Sequence, residues 1–523
     1  MIAWKLGAVA AVVLPLAAAP GVAAAQALSG TLIAGLGAEA TVMDPTRSSA
    51  GVDQYFFGQM FEQLLRTDPD LKQINWLADS WTLAEDGGKP VITVRIRPGV
   101  TFHNGDPVTS ADFEYSMQRQ RDPKLSRFSH LLNAVESFEV IDALSFRLRF
   151  KEGDGSFITS NLHLWAVPRR HVERVGEEEF QRAPVGTGPW KFVSRTVKEE
   201  LRLEAYEGYW NTAHRPTVKN LVLKIIPEDL TRVAAYKTGA IDWIDAVPPA
   251  AAAEFAKLEN TSTTTNVSGN NLYLAFPTHL PNSPFNDVRV RRAAAHAVDM
   301  DAIIKRVLFD QGERYTQVGR GTPGFDPDLK PYPFDPRRAR ALLAEAGHPR
   351  GFEVPCYNLT TPREPNIKEM GEAVFAYLSA VGIRCQIRQM EYGVWINLGR
   401  RDTAPDMDGI GSWMWSHGLP GDPGTPWLGH MHSYQAGRGL GAYSYTDNAE
   451  MDALLRAQQT TMDPARREAM LKEIARIKHD QVLGGLPTYR PMVTIAWRNT
   501  KVAFKPWPGP GWWRNFQEIG LKP

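Results

Sequence analysis

The stretch that decides the fold is IRPGVTFHNGDPVT, which occupies residues 96–109 of the 523-residue chain. Just before it, apolar and polar residues alternate over the segment Pro90–Arg97, as in a half-buried strand. At its end, Thr109 and Asp112 have the spacing of a capping box, which predicts the start of a helix. The glycine and proline residues between these two elements indicate tight turns. The stretch therefore predicts a strand, a compact turn and a helix in succession.

Strand and helix patterns alternate along the rest of the chain, which predicts an α/β fold. Residues 138–150 contain two alternating runs on either side of a turn, as in a β-hairpin. Helices are predicted to begin at Asp335-Pro336 and at Asp463-Pro464, because Asp is a favoured N-cap and Pro suits the first turn. A chain of 523 residues is too long for one ordinary core and is expected to form at least two lobes.

The two cysteines of the chain, Cys356 and Cys385, lie in the strand-like segments Phe352–Tyr357 and Ile383–Met390. A helical segment lies between them, and strand, helix and strand in succession predict two parallel neighbours. Two readings stay open. An oxidising compartment would permit a disulfide, whereas two buried thiols are the plainer alternative. The spacing does not resemble a metal site.

The overall charge excludes some classes of partner. The chain has 59 Lys and Arg against 58 Asp and Glu, so its formal charge is close to zero. Proteins that bind nucleic acids or anionic membranes carry a basic excess or a basic patch. We therefore expect no nucleic-acid partner, and a hydrophobic content of 43% fits a soluble globular protein.

The amino terminus has the pattern of an export signal. Lys5 precedes an apolar run over residues 6–25, and small residues near positions 23–27 offer cleavage sites. An uncleaved membrane anchor is the alternative, since the run approaches spanning length. Pro15, Pro20 and Gly21 favour a cleaved signal peptide over residues 1–27. No Cys lies near the cleavage site to carry a lipid, so a soluble periplasmic protein is expected.

Further segments follow residues 96–109 in order: PVGTGPW (184–190), YEGYW (206–210), IIPE (225–228), GAID (239–242), PFNDVRVR (284–291) and AEAG (344–347). With these segments, the chain resembles the extracellular solute-binding proteins of the peptide/nickel/opine type. That family includes dipeptide- and oligopeptide-binding proteins, and the resemblance spans nearly the whole mature chain. We interpret the segments themselves as structural, because their Gly and Pro residues mark turns and fix the backbone.

The resemblance implies a two-lobed periplasmic-binding-protein fold that is hinged and belongs to the large class with an extra inserted domain. Lobe I is expected to comprise residues 28–65, 184–271 and 487–523. The inserted domain would cover residues 66–183, on the side of lobe I, and lobe II residues 272–486. Extended crossings near residues 271–274 and 486–489 would serve as hinges.

The resemblance also implies a function. The chain would be the substrate-binding component of an ABC transporter, a monomer that captures a small solute between its lobes. It would then deliver the solute to a membrane permease and its ATPase. No cofactor, no metal and no catalytic residue is expected. Motifs of serine hydrolases, zinc peptidases and nucleotide-binding enzymes are missing from the sequence, which makes a secreted enzyme the weaker reading.

The ligand site has to be argued separately, because a fold does not fix a function. In peptide-binding members of the family, an Asp that precedes an Asp-Pro pair by a few residues receives the α-ammonium of the ligand. Here Asp422-Pro423 matches the pair, but the position of the upstream Asp falls on Trp415 or Leu419. We interpret Asp422 as a turn or helix-cap residue. The ligand is therefore not expected to be a standard dipeptide held by an Asp–ammonium contact.

Aromatic and imidazole groups stand in the same segment. Trp413 and Trp415 are two positions apart and share one face of a strand, and His417 follows them. They predict an aromatic-walled pocket that stacks on a planar, sugar-like or cationic solute. Further candidate ligand-binding residues are Arg363, which suits a carboxylate, Tyr392, Trp395 and, on the opposite wall formed by residues 44–53, Tyr55.

Two alternatives share this architecture. The chain could bind dipeptides or oligopeptides through a different amine anchor. It could also bind nickel or a metallophore through His417, His430 and His432, although three His without Cys or close acidic partners form a loose set and structural roles are the plainer reading.

Overall fold

The computed structural model describes the greater part of the chain. The described residues are 28–48, 51–68, 73–122, 124–126, 132–158, 164–268, 270–278, 280–320, 322–359, 366–391, 394, 408–416, 422–424, 427–428, 448–483, 485–506 and 516–522. Within strands and helices, only the backbone is described for residues 51, 67, 270 and 411–416. The predicted signal peptide, residues 1–27, lies outside the described residues. No helix within the described ranges has the length and apolar character needed to cross a lipid bilayer.

The described strands are numbered in chain order. They are β1 (Ser29–Leu36), β2 (Leu65–Thr67), β3 (Gln73–Asn75), β4 (Ala78–Asp86), β5 (Lys89–Ile96), β6 (Val135–Asp142), β7 (Ser145–Phe150), β8 (Trp190–Thr196), β9 (Glu200–Ala205), β10 (Val218–Ile225), β11 (Trp243–Val247), β12 (Thr261–Val267), β13 (Asn270–Ala275), β14 (Gly312–Glu313), β15 (Phe352–Leu359), β16 (Ile383–Met390), β17 (Ile410–Ser416), β18 (Leu486–Pro487), β19 (Arg490–Arg498), β20 (Val502–Ala503) and β21 (Gly520–Leu521).

The α-helices of the described residues occupy Gly51–Met60, Ser110–Arg121, Arg169–Val175, Glu177–Arg182, Asp229–Thr238, Pro249–Phe255, Val288–Ala297, Met300–Arg306, Pro336–Glu345, Ile367–Val381, Ala449–Thr460 and Pro464–Gln481. Short 3-10 turns occupy Thr212–His214, Pro284–Asn286 and Phe516–Glu518. The helices predicted to begin at Asp335-Pro336 and Asp463-Pro464 are confirmed, since each Asp side chain accepts a hydrogen bond from a backbone N–H in the first turn.

A large sheet of eight strands has the order β12-β19-β11-β1-β10-β9-β8, and β14 also pairs with β19. β1 runs parallel to its two neighbours, β10 and β11, and the remaining pairs are antiparallel. Leu32 and Ala34 of β1 and Leu221 and Leu223 of β10 are fully buried. Such apolar central strands are expected where helices and loops cover both faces of a sheet.

A second sheet of five strands has the order β16-β15-β17-β13-β18. The predicted parallel neighbours, β15 and β16, are confirmed, and β15 also runs parallel to β17. The helix Ile367–Val381 connects β15 to β16 and buries Val374, Phe375 and Leu378. Of the two readings for the cysteines, the structure has the disulfide between Cys356 and Cys385.

A third, antiparallel sheet has the order β4-β5-β7-β6 and contains the strand of the opening stretch. Ile92, Val94 and Ile96 of β5 are fully buried, as their alternation predicted. The helix that follows, Ser110–Arg121, begins at the predicted capping box, in which the side chains of Thr109 and Asp112 bond to each other's backbone. Local sequence signals thus predict β5, the hairpin of β6 and β7 and the helix, whereas β4 and the pairing of β5 with β7 come from the structure.

Two neighbouring crossings join the large sheet to the five-stranded sheet. One runs from β12 to β13 and the other from β18 to β19. The backbone N–H of Leu272 donates to the carbonyl of Tyr489 at 3.0 Å, and that of Thr488 donates to the carbonyl of Leu272 at 3.0 Å. The crossings lie where hinges were predicted, and their hinge function stays a prediction.

The signature segments contact one another. The backbone N–H of Gly186 donates to Nδ1 of His103 at 3.2 Å, and Nε2 of His103 donates to the carbonyl of Gly188 at 2.9 Å. Tyr206 donates from its hydroxyl to the carbonyl of Phe102 at 3.0 Å. A Cβ on Gly186 would overlap the carbonyl of Met60. These contacts support the structural interpretation of the segments.

The buried carboxylate of Glu62 also takes part in the contact between the signature segments. Glu62 is 5% exposed and accepts hydrogen bonds from the indole of Trp76 at 2.6 Å, the hydroxyl of Tyr209 at 2.7 Å and the indole of Trp210 at 2.9 Å. Burial raises the pKa of Glu62, and the three donors oppose that rise. Two of the donors belong to the segment YEGYW, so these residues hold the four-stranded sheet to the large sheet.

Candidate functional site

The carboxyl ends of three neighbouring parallel strands form one edge of the five-stranded sheet. Leu359, the last residue of β15, is in register with Met390, the last residue of β16. On the other side of β15, Tyr357 is in register with Gly411 of β17. The end of β17 at Ser416 lies opposite the start of β13. In open α/β sheets, ligands bind in the crevice outside the carboxyl ends of the strands.

The predicted ligand-binding residues of this lobe belong to this edge by their place in the chain. Trp413 and Trp415 are near the end of β17, in register with Tyr273 and Asn271 of β13 respectively. Their side chains are not among those described. The others follow the ends of β15, β16 and β17, or lie further downstream, and fall outside the described residues: Arg363, Tyr392, Trp395, His417, His430 and His432.

The residues of β13 that lie opposite the two tryptophans of β17 are described in full. Asn271 is 3% exposed, and its Oδ1 atom has no hydrogen-bond partner within the described ranges. Buried polar groups are almost always paired, so the amide oxygen of Asn271 can accept a hydrogen bond from a group outside the described residues. Sequence reasoning identified this residue only as part of a crossing. Its register opposite Trp415 is the signal that places it at the site.

Asp422 of the Asp-Pro pair is already used by other residues. Its carboxylate accepts two hydrogen bonds from Arg467, at 2.5 and 2.7 Å, and one from the backbone N–H of Gly424 at 2.9 Å. Both partners of the ion pair are almost fully buried. Removing this carboxylate from Arg467 would leave a buried charge uncompensated. This geometry supports the interpretation of Asp422 as a turn residue.

A second carboxylate near β17 is also bonded. Asp408 accepts a hydrogen bond from the hydroxyl of Tyr357 at 2.5 Å, and Arg388 lies 3.4 Å away. Burial and the neighbouring carboxylate raise the pKa of Tyr357 to about 12, so its hydroxyl stays protonated and keeps donating at neutral pH. Tyr357 and Arg388 thus share Oδ1 of Asp408, and the Arg388 guanidinium offsets part of its charge.

The opposite wall was predicted over residues 44–53. Asp44 is fully buried and is paired with Arg119 and with Arg47, and both arginines also contact Glu177. Asp53 accepts hydrogen bonds from the backbone N–H and the hydroxyl of Thr41, at 2.6 and 2.7 Å. These acidic side chains hold the loop after β1 in place.

Tyr55 lies deeper than a wall residue would. It is 9% exposed, and its ring packs edge-on against Phe56 and Phe516. The placement favours a packing role in the core beside the large sheet. Its part in ligand binding stays a prediction.

No group of three or more His, Cys, Asp or Glu side chains that could hold a metal ion occurs in the described part of the chain. The histidines considered for nickel or a metallophore lie outside that part.

Comparison with known proteins places the geometry in context. The profile of the bacterial extracellular solute-binding proteins, family 5 Middle, matches residues 72–434. The glutathione-binding protein GsiB of Pectobacterium atrosepticum is 28% identical over 68% of this chain and 69% of its own length. Heme-binding protein A of Haemophilus influenzae is 29% identical over 77% of each chain.

A solved structure extends the likeness to the whole fold. HbpA2 from Haemophilus parasuis superimposes with a TM-score of 0.81, covering 94% of this chain and 100% of its own, at 23% identity. The two-lobed α/β fold of periplasmic binding proteins, which the sequence predicted, is thereby confirmed.

Proposed function

The chain belongs to the bacterial extracellular solute-binding proteins of family 5, and from this premise we propose that it captures its solute at the carboxyl-end edge of β15, β16 and β17. It is the substrate-binding component of an ABC transporter. One observation carries the location of the site. Three parallel strands end side by side, next to the crossing strand β13, and each is followed by predicted ligand-binding residues.

The described carboxylates around β17 restrict the ligand class. Asp422 is buried in its ion pair with Arg467, and Asp408 is bonded through Oδ1 to Tyr357 and Arg388, so both carboxylates already have partners within the protein. A charged amine leaves water only where a carboxylate or several carbonyls replace its hydration. We infer that the solute is held through a planar or apolar surface against Trp413 and Trp415, with Asn271 as a polar contact. A standard dipeptide held by an Asp–ammonium contact does not fit this arrangement.

The named relatives suggest which solutes to test first. One relative is named for glutathione and the other for heme. Heme offers a large planar surface for stacking, whereas glutathione carries carboxylates that Arg363 would suit. A dipeptide or oligopeptide with another amine anchor is the alternative. A nickel complex held near His417, His430 and His432 is the second alternative.

The finer statements on partners and place belong to the same proposal. We propose that residues 1–27 are a cleaved signal peptide and that the mature chain works in the periplasm. It would act as a monomer without catalytic activity and pass its solute to a permease and its ATPase. Residues 28–65, 184–271 and 487–523 would form lobe I, residues 272–486 lobe II, and residues 66–183 the inserted domain. The two hydrogen-bonded crossings would bend as the lobes close.

A thermal-shift screen of the purified mature chain tests the proposal. The probes are hemin, reduced glutathione, dipeptides, oligopeptides, sugars, quaternary amines, and nickel with and without histidine. A solute at one hundred times its dissociation constant adds about 2.7 kcal/mol to the free energy of unfolding, which raises the unfolding temperature visibly. Stabilisation by hemin, glutathione or another solute with a planar or apolar surface supports the proposal. Stabilisation by simple dipeptides alone would contradict the inferred ligand class, and turnover of any probe would contradict the absence of catalysis.

A further inference from the structure

The turn Gly153–Ser156, which follows the four-stranded sheet, contacts the segment Gln459–Met462, which is the end of the helix Ala449–Thr460 and the start of the turn after it (the second turn). The backbone N–H of Gly155 donates to the carbonyl of Gln459 at 2.7 Å. The side-chain amide of Gln459 donates to Oδ1 of Asp154 at 3.3 Å. The two helices that flank the second turn pack in the core of the five-stranded sheet. The contact therefore joins the four-stranded sheet to the five-stranded sheet at a place away from the crossings.

At Gly153 and Gly155 of the first turn, a side chain is excluded by atoms on the other side of this contact. A Cβ on Gly153 would overlap the carbonyl of Thr460, and a Cβ on Gly155 would overlap the carbonyl of Thr461. Neither glycine has a positive φ, so the local backbone would accept a side chain. The close approach of the second turn is what excludes one.

Apolar and polar burial both support the contact. Met462 packs against the hydrophobic core of the four-stranded sheet, whose own members include Phe150 and Phe157. Asp154 is 5% exposed, and its carboxylate accepts from the backbone N–H and the hydroxyl of Ser156, at 3.1 and 2.7 Å. The turn is thus ordered by its own hydrogen bonds and ready to meet the second turn.

The contact also extends to Arg467 and, through it, to Asp422. A Cβ on Gly155 would lie 2.5 Å from Cδ of Arg467. Arg467 holds Asp422, which ends the segment that begins with Trp415 and follows β17. Asp422, Arg467 and the turn Gly153–Ser156 are therefore connected by a series of contacts.

We propose that Gly153–Ser156 and Gln459–Met462 form a latch that holds the two lobes closed, with Arg467 as the positioning residue that connects the latch to the ligand segment. The four-stranded sheet is held to the large sheet by Glu62, His103 and Arg119, so it moves with that lobe. Latch function presupposes the lobe closure proposed above. The hinge and the latch then bound the closed cleft at two separate places.

Cross-linking of the mature chain tests the latch without any solute. Glu152 and Thr460 have exposed side chains that flank the contact, and the double variant Glu152→Cys/Thr460→Cys is treated with a short bismaleimide. The native cysteines are bonded to each other and do not react. We expect rapid intramolecular cross-linking, because brief closure is enough to trap the pair. The control pair Ser137→Cys/Thr460→Cys, with Ser137 on β6, should react at least about tenfold more slowly.

Blocking variants in the same double-cysteine background test the closed state itself. Gly155→Val should slow cross-linking about tenfold or more, because the new side chain meets the backbone of the second turn. Met462→Asp, on the other side, should act alike, and Thr82→Val on an exposed position of β4 is the matched control. Unfolding temperatures should stay close to that of the parent.

Three results would overturn the latch. The first is a cross-linking rate of the Glu152/Thr460 pair no faster than that of the Ser137 pair. The second is a rate that neither blocking variant changes. The third is a blocking variant that lowers the unfolding temperature but leaves the cross-linking rate unchanged. Since no solute enters the measurement, these outcomes are independent of the solute screen.

Discussion

Two regions use their polar side chains differently. One is the contact that the signature segments make with one another, and the other is the strand-end edge of the five-stranded sheet. At the contact, both ring nitrogens of His103 and both oxygens of Glu62 bond to residues from other segments. At the edge, the amide oxygen of Asn271 is buried and has no partner among the described residues. Thr187 and Trp190 of the signature segments also have a buried polar atom without a described partner, so it is the position of Asn271 beside the strand ends that supports the proposed contact with a solute.

The difference separates recognisable sequence from functional sequence. The signature segments hold the four-stranded sheet against the large sheet, and their contacts are explained without a solute. The edge that faces a solute carries no comparable signature. Its residues come from strand ends that are far apart in the chain.

The largest expected effect lies in the signature contact. Glu62→Ala should lower the free energy of unfolding by about 3–5 kcal/mol, because it leaves three buried donors without an acceptor. Urea unfolding at neutral pH measures this loss. Glu139→Ala, on an exposed strand position, should change stability by less than about 0.5 kcal/mol. A loss below about 1 kcal/mol for Glu62→Ala would show that the contact does not depend on its polar bonds.

A pH-dependent effect of the same contact ranks second. Burial lowers the pKa of His103 to about 4 from an ordinary 6.5, so the unfolded chain binds a proton there before the folded chain does. The contribution of His103 is therefore complete above pH 6.5 and is lost as the pH falls toward 4, by up to about 3 kcal/mol.

The variant His103→Gln isolates this term. It should be less stable at pH 7, since Gln cannot reproduce both hydrogen bonds, but it should lack the part of the acid-induced loss that His103 causes. Urea midpoints of both proteins between pH 7 and pH 4 give the difference. Parallel pH profiles for the two proteins would contradict a neutral, buried His103.

A smaller effect, on affinity alone, is expected at the edge. Asn271→Ala should lower the free energy of unfolding by no more than about 1 kcal/mol, because its amide oxygen has no described partner to lose. Its affinity for the solute found in the screen should fall about tenfold, the effect of one lost hydrogen bond. Calorimetric titration measures the dissociation constant.

Asn358 provides the matched control on β15. It is fully buried and its Oδ1, like that of Asn271, has no partner among the described residues, but its side-chain amide donates to the carbonyl of Lys368 at 3.1 Å. Asn358→Ala should therefore lower stability by about 1–2 kcal/mol and leave the dissociation constant unchanged. The reverse pattern for the two asparagines would remove Asn271 from the site.

Local structure was predictable because its signals are local. The capping box at Thr109, the alternation in β5 and the Asp-Pro helix starts each depend on a few adjacent residues. The parallel pair β15 and β16 was predictable from strand, helix and strand. The disulfide was not, because it depends on a register that places Val354 opposite Cys385.

The site was less accessible to prediction, because its contacts are distant in the chain. Asp44 looked like a wall residue, yet Arg119, which lies 75 positions away, pairs with it. Asn271 gave no signal until β13 was seen opposite β17. The missing Asp before Asp422-Pro423 was readable from the sequence, and the bonded state of Asp422 supports the change of ligand class that it suggested.

The central claim, that a solute binds against the tryptophans at the end of β17, is tested most directly by titrating Trp415→Ala with the solute found in the screen. Trp81→Ala, on β4 of the four-stranded sheet, serves as the control variant. The dissociation constant of Trp415→Ala should rise at least about tenfold, since a stacked aromatic ring contributes about 1–3 kcal/mol, while that of Trp81→Ala should stay unchanged. Equal dissociation constants for Trp415→Ala and the unaltered chain would contradict the site.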